Sequence, residues 1–84
     1  MQMIAELSLY PFNADYIPPI KGFIDFLNTI SGLQVETYAT CTIVRGEDQL
    51  VFDTIRDGLR WCREQHGKVV LVSKFLPGIE PDKA

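Results

Sequence analysis

The sequence predicts an α+β fold in which a four-stranded antiparallel sheet carries two helices on one face. Four stretches have the alternation or the β-branched composition of strands, and two have the apolar spacing of amphipathic helices. Their order along the chain is β-α-β-β-α-β, the order of a split βαβ sandwich. We expect a single domain over residues 1–84, with residues 3–76 as its ordered part.

The first strand is predicted over Met3–Tyr10, where apolar and mixed side chains alternate with a period of two. One face of this strand is apolar and carries Ala5, Leu7 and Leu9. The other face is mixed and carries Ile4, Glu6, Ser8 and Tyr10. Pro11 ends the strand, because proline has no N–H to continue a sheet ladder.

The first helix is predicted over Ile17–Ser31. Two prolines fit its first turn, where a missing N–H costs no hydrogen bond, and Gly32 ends it. Apolar residues recur with helical spacing at Ile20, Phe23, Ile24, Leu27 and Ile30. Gly22 inside the helix costs about 1 kcal/mol relative to alanine, so we expect another part of the fold to approach closely there.

The second and third strands are predicted over Leu33–Thr40 and Cys41–Arg45. One face of the second strand carries Gln34, Glu36, Tyr38 and Thr40. No Asn-Gly or Asp-Gly turn separates the two strands. Two interpretations stay open: the strands meet at a bend near Ala39–Cys41, or one longer strand contains a bulge. The phase of the third strand is open as well, so either Thr42 or its neighbours share the face of Tyr38.

The second helix is predicted over Glu47–His66 and the last strand over Lys68–Leu76. Two acidic residues at the start of the helix place negative charge at its positive end, and Gly67 ends it. The strand sequence KVVLVSKFL is rich in β-branched residues. We expect residues 79–84, beyond this strand, to be loosely held.

Right-handed crossovers put both helices of this ferredoxin-like sandwich on the same face of the sheet. The other face is left uncovered within one chain. Its predicted side chains mix polar and apolar types, which is typical of a subunit interface or of a ligand pocket. A domain of this size buries only about 60–65% of the surface that its unfolded chain exposes, so self-association would add stability. We therefore expect a homodimer or a homotetramer.

Composition argues against a nucleic-acid partner and against a metal site. The net charge is −3, and no basic run provides the clustered Lys and Arg that phosphate binding needs. Cys41 and Cys62 do not form a CxxC pair, and one histidine is too few for a usual zinc set. The first residues lack the basic and apolar regions of a signal peptide, and no apolar run approaches the ~20 residues of a membrane span. We expect a cytoplasmic protein without membrane contact.

Three stretches of the chain resemble the thiamine-binding YkoF-like family: IAELSLYP near the start, TYATCTIVRGE followed by a helix carrying VFDTI, and KVVLVSKF near the end. The resemblance covers about residues 3–76. It implies a ferredoxin-like domain that assembles through its sheets into dimers and often tetramers. It also implies binding of thiamine or its hydroxymethylpyrimidine part, without catalysis. Some members carry the fold twice, whereas this chain carries it once, so homo-oligomerisation would supply the missing copy and the ligand site would form in the homo-oligomer.

Such a ligand needs a flat apolar wall, donors and acceptors at the pyrimidine edge, and a negative group near its cationic ring. Aromatic side chains could supply the wall, hydroxyls could donate and accept, and a carboxylate could face the cation. The predicted ligand-binding residues are Glu6, Ser8, Tyr10, Glu36, Tyr38, Thr40 and Thr42. No Gly-rich loop with a lysine precedes a helix, so we expect an unphosphorylated ligand.

A second class of function stays open, namely a regulatory or structural module that binds an amino acid or a protein partner. Ferredoxin-like domains serve many functions, so the fold alone does not decide. Catalysis is not expected, and neither is a cofactor. Cys62 and His66 are four residues apart and could touch on one helix face. No third group is evident to orient such a pair as nucleophile and base, so we expect both to serve packing.

Overall fold

Six secondary-structure elements follow one another in the computed structural model, which describes residues 1–78. Their bounds are β1 (Gln2–Pro11), α1 (Ile17–Asn28), β2 (Gln34–Thr37), β3 (Thr42–Glu47), α2 (Asp48–His66) and β4 (Val69–Pro77). The order β-α-β-β-α-β confirms the predicted topology and with it the ferredoxin-like α+β class. Residues 79–84, which we expected to be loosely held, lie outside the described residues.

The sheet is antiparallel throughout, with its strands in the order β2-β3-β1-β4. β1 lies between two partners, so Ala5 stands opposite Val44 on β3 and opposite Phe75 on β4. Both helices pack against the face that carries Ala5. The buried core there consists of Met3, Ala5, Leu7, Phe23, Leu27, Val44, Val51 and Ile55. The assignment of Ala5 and Leu7 to the covered face is therefore confirmed.

The connection between β2 and β3 is a tight turn over residues 38–41. The N–H of Tyr38 donates to the C=O of Cys41 at 2.8 Å and closes this turn. β2 therefore ends at Thr37. Its residue types predicted a longer strand that ends at Thr40. Of the two interpretations of this segment, the bend is confirmed and the single bulged strand is wrong.

α1 is shorter than predicted and ends at Asn28. The N–H of Thr29 donates to the C=O of Phe26, three residues earlier, at 3.0 Å, so the last turn tightens before the chain leaves the helix. The following loop passes through Gly32 at φ +85°, a left-handed conformation that glycine adopts at little cost. Neither α1 nor α2, the helices of residues 1–78, is long and apolar enough to cross a membrane.

Gly22 and Gly58 allow the two helices to approach closely. A Cβ on Gly22 would stand 2.4 Å from Cη2 of Trp61, and one on Gly58 would stand 2.9 Å from Cε1 of Phe23. Both distances are shorter than the separation of carbon atoms in normal contact. The predicted close approach at Gly22 is confirmed, and the group that approaches is the indole of Trp61 on α2.

The second face of the sheet, which we call the open face, is covered by no element of residues 1–78. Its side chains come from all four strands and are Ile4, Glu6, Ser8, Tyr10, Gln34, Glu36, Ile43, Arg45, Val70, Val72, Lys74 and Leu76. Three large ones are well exposed, with exposed fractions of 44% for Val70, 50% for Val72 and 56% for Tyr10. The open face is therefore partly apolar, unlike a fully solvated surface.

Thr42 faces the helices, which decides the phase of the third strand that its residue types left open. It stands opposite Leu7 of the covered face and is buried. Its neighbours Ile43 and Arg45 take the open face instead. The reason is register: pairing with β1 determines the phase of β3, and a shift of one residue would move Val44 out of the core.

Candidate functional site

A cavity of about 100 Å³ lies between α1 and the end of β1, beside the turn over residues 38–41. Its apolar lining comes from the strand and the helix and consists of Leu7, Leu9, Ile20, Phe23 and Ile24. The rest of the lining comes from Ser8, from the turn and from Thr42. An apolar wall that meets a few polar groups is typical of a pocket for a small organic ligand.

The cavity exists because β1 extends past the end of β3. β3 begins opposite Leu7, while β1 continues to Pro11 and pairs there with β4 alone. Within the described chain, residues 8–11 therefore have no strand on their β3 side. The peptide groups that point to this side have no ladder partner on β3, and two of these residues, Ser8 and Leu9, line the cavity.

The turn over residues 38–41 is held against β1 by one side chain. The hydroxyl of Ser8 donates to the C=O of Thr40 at 3.1 Å and so bridges the gap beside β1. Cys41, the last residue of the turn, is half-buried, has a free thiol and belongs to the cavity lining. The turn thus closes one side of the cavity, and Thr40 and Cys41 belong to its lining.

Three side chains form a hydrogen-bonded chain from the open face to the turn. The phenol of Tyr38 donates to Oε2 of Glu36 at 2.5 Å, and Nη2 of Arg45 lies 3.0 Å from Oε1 of the same carboxylate. This hydrogen bond, together with the negative charge of Glu36, raises the pKa of the Tyr38 phenol above its ordinary value. Tyr38 is therefore a neutral hydrogen-bond donor at neutral pH.

Four of the predicted site residues line the cavity, and these are Ser8, Tyr38, Thr40 and Thr42. Thr42 enters the lining from the covered face of the sheet. Glu36 contacts the site through Tyr38. Glu6 and Tyr10 lie outside the lining, on the open face, where Glu6 stands opposite Lys74 of β4. A ligand-binding role stays a prediction for every one of these residues.

Sequence reasoning missed the helical wall of the cavity. Ile20, Phe23 and Ile24 recur at the spacing of a core-facing stripe, and a residue that lines a cavity beside the core has the same spacing. The one signal in the sequence is the greater length of the first strand compared with the third. This difference in length can be seen only when the position of the turn before β3 is known, and the residue types left that position open.

Cys62 and His66 contribute nothing to the cavity lining. Cys62 is buried, and the loss of water around its thiol raises the pKa of that group. The ring of His66 packs edge-on against Trp61, with the ring centroids 5.5 Å apart. Both side chains therefore serve packing, as expected.

The model of the YKOF-related family matches residues 2–78. The chain belongs to the YkoF-related family. The match spans all six elements of the fold and confirms the resemblance seen in the sequence. A search of curated proteins finds no match to this sequence.

Solved structures share the fold of this YkoF-related chain at low sequence identity. Protein SP2199 of Streptococcus pneumoniae is 20% identical with a TM-score of 0.87, and the match covers 94% of this chain and 89% of that chain. Protein MJ1052 of Methanocaldococcus jannascii is 20% identical with a TM-score of 0.82, over 99% of this chain and 87% of that chain. TM0486 of Thermotoga maritima is provisionally described as a thiamine biosynthesis or salvage protein. It is 16% identical with a TM-score of 0.82, and the match covers 100% of this chain and 89% of that chain. Identities this low establish the shared fold alone.

Proposed function

We propose that this YkoF-related chain is a non-catalytic binding protein for thiamine or its hydroxymethylpyrimidine part, and that the aminopyrimidine ring occupies the cavity. The observation that carries the proposal is the gap beside β1, where an apolar wall meets Ser8, Thr40 and Thr42 at a strand edge without a neighbouring strand. Membership of the YkoF-related family supports the ligand class, and so does the description of the T. maritima neighbour.

The cavity encloses only part of the ligand. It measures about 100 Å³, less than the volume of about 150 Å³ of an apolar cavity that holds a benzene molecule, so the substituted pyrimidine ring would enter it in part. The second ring of thiamine, the cationic thiazolium, would stay at the mouth. Tyr38 is exposed there and has the Glu36 carboxylate beside it. A cation over an aromatic ring gains about 0.5–2 kcal/mol, depending on how far it is desolvated.

The pyrimidine edge needs both donors and acceptors. The β3 side of β1 at Ser8 and Leu9, which both line the cavity, has no strand beside it and would offer peptide N–H and C=O groups. The hydroxyls of Thr40 and Thr42 can either donate or accept. The lining, all of it from the described residues, contains no lysine or arginine, which favours an unphosphorylated ligand.

Isothermal titration calorimetry tests the ligand class. We expect binding heat with thiamine and with hydroxymethylpyrimidine, and none with a panel of free amino acids. Hydroxymethylpyrimidine should retain much of the affinity, because the cavity holds the pyrimidine ring. Heat with an amino acid and none with thiamine would replace the proposal with a regulatory amino-acid-binding module.

Cys41 provides a probe of the cavity, because this half-buried residue belongs to the lining while Cys62 is buried. We expect a small alkylating reagent to label Cys41 in the native protein and Cys62 only after unfolding. With thiamine at about ten times its dissociation constant, labelling of Cys41 should slow about tenfold, because only the free site reacts. Mass spectrometry of the labelled peptides measures both rates, with Cys62 as the internal control. Labelling of Cys41 at a rate independent of bound thiamine would contradict the placement of the ligand in this cavity.

The same proposal includes a homo-oligomer in which a second copy covers the open face. Support comes from the exposed apolar side chains of Val70, Val72 and Tyr10 on that face. Interface cores are enriched in aromatic and aliphatic residues and depleted of charge. The charged residues of the open face would then need partners across the interface or at its rim.

Val72→Asp is expected to shift the protein to the monomer, because it places an unpaired carboxylate in the proposed interface. Ile17→Asp is the matched control, since Ile17 is 58% exposed but lies on α1 in the other layer. Sedimentation velocity of the wild type and both variants over a range of concentrations measures the effect. A wild type that stays monomeric at every concentration would remove the oligomer from the proposal and leave the cavity unaffected.

A further inference from the structure

We infer that Glu36 and Arg45 are positioning residues of the ligand site, which hold the ring of Tyr38 over the mouth of the cavity from the open face. Neither residue lines the cavity, so neither is identified by the lining itself. The inference rests on the proposed function and deepens it, because it assigns to two residues outside the pocket an effect on ligand affinity.

Tyr38 needs such support because of where it lies. It belongs to a turn between two strands, and 53% of its surface is exposed. Packing alone therefore leaves its ring considerable rotational freedom, and a ligand would have to immobilise the ring on binding. The hydrogen bond from the Tyr38 phenol to Glu36 fixes the far end of the side chain before the ligand arrives.

The carboxylate of Glu36 is itself fixed on both sides. One oxygen accepts the phenol of Tyr38, and the other faces the guanidinium of Arg45 at 3.0 Å. Hydrogen bonds to ionised groups are shorter and stronger than neutral ones, so this carboxylate has one preferred orientation. The contacts thus run from Arg45 on β3 through Glu36 on β2 to the side chain of Tyr38 in the turn.

Arg45 provides the rigid end of this series of contacts. It lies in the middle of β3, opposite Ile4 of the central strand and Gln34 of β2. Its side chain is 27% exposed, and the Glu36 carboxylate is its ion-pair partner among the described residues, while its Nε is buried without a hydrogen-bond partner there. A half-buried arginine with one such partner helps to orient that carboxylate.

A double-mutant cycle with thiamine tests whether Glu36 acts through Tyr38. We expect Glu36→Gln and Tyr38→Phe each to weaken thiamine binding about fivefold, within the range for coupled neighbours. The double variant should bind no more weakly than either single variant, because Glu36→Gln replaces the charged acceptor of this hydrogen bond and Tyr38→Phe removes its donor. Asp57→Asn is the matched control, since it breaks a comparable arginine pair on α2, at 3.1 Å from Arg56, and should leave affinity unchanged. Fully additive losses would overturn the inference, because Glu36 would then contact the ligand directly.

A measurement without ligand separates the failure of this inference from the failure of the proposed function. NMR of ring-labelled tyrosine, with Tyr38→Phe identifying the signal, reports the mobility and the titration of the Tyr38 ring. We expect Glu36→Gln to make the ring more mobile and to lower the pKa of the phenol towards its ordinary value, and Asp57→Asn to do neither. An unchanged ring in Glu36→Gln would overturn the inference even if thiamine binds, and a changed ring would support it even if thiamine does not.

Discussion

Leu27→Ala is expected to lower the free energy of unfolding by about 2–5 kcal/mol. Leu27 has 0% of its surface exposed, and it shares the core cluster with Val44 of the sheet and Val51 of α2. The truncated side chain would leave a cavity that the surroundings close only in part, because β1 and β3 are held in place by sheet hydrogen bonds. A typical domain is stable by only about 5–15 kcal/mol, so the loss is a large fraction of the total. Urea denaturation measures it.

Ile17→Ala is the matched control for this variant, because it truncates an aliphatic residue of the same helix that is 58% exposed. It should change the free energy of unfolding by no more than about 0.5 kcal/mol. Both variants need to be compared at one protein concentration, since the stability of an oligomer depends on concentration. Equal losses in the two variants would contradict the close packing of Leu27.

Tyr38→Ala is expected to weaken thiamine binding by about 1–3 kcal/mol, or roughly fivefold to a hundredfold in the dissociation constant. The ring would stack on the ligand at the mouth of the cavity, and its removal also leaves the Glu36 carboxylate without its phenol donor. The fold should persist, because Tyr38 is an exposed residue of a turn. Calorimetry with thiamine measures the affinity, and thermal unfolding checks the fold.

Tyr10→Ala tests whether the ligand binds in the cavity or on the open face. Tyr10 is 56% exposed and Tyr38 is 53% exposed, but only Tyr38 lines the cavity. Tyr10→Ala should therefore leave the dissociation constant within about twofold of the wild type. A loss at Tyr10 as large as that at Tyr38 would move the site to the open face, where Glu6 also lies.

The element order and the covered face of β1 could be predicted because they depend on local periodicity. Alternation along β1 separates Leu7 from Glu6, and helical spacing brings Phe23 and Leu27 to one side of α1. The phase of β3 could not be predicted in this way. Thr42 and Val44 on one side, and Ile43 and Arg45 on the other, are about equally apolar, so alternation favours neither face.

The candidate site, too, could be predicted from the sequence only in part. The sequence by itself determined a ferredoxin-like sandwich of the YkoF-related family and pointed to the hydroxyls of Ser8, Thr40 and Thr42. Only the tertiary structure decided that these three residues line one cavity together with α1, while Glu6 and Tyr10 stay outside it. The physical reason is that periodicity records the direction of each side chain relative to its own element. A cavity depends instead on where one strand ends beside another, and strand pairing determines that.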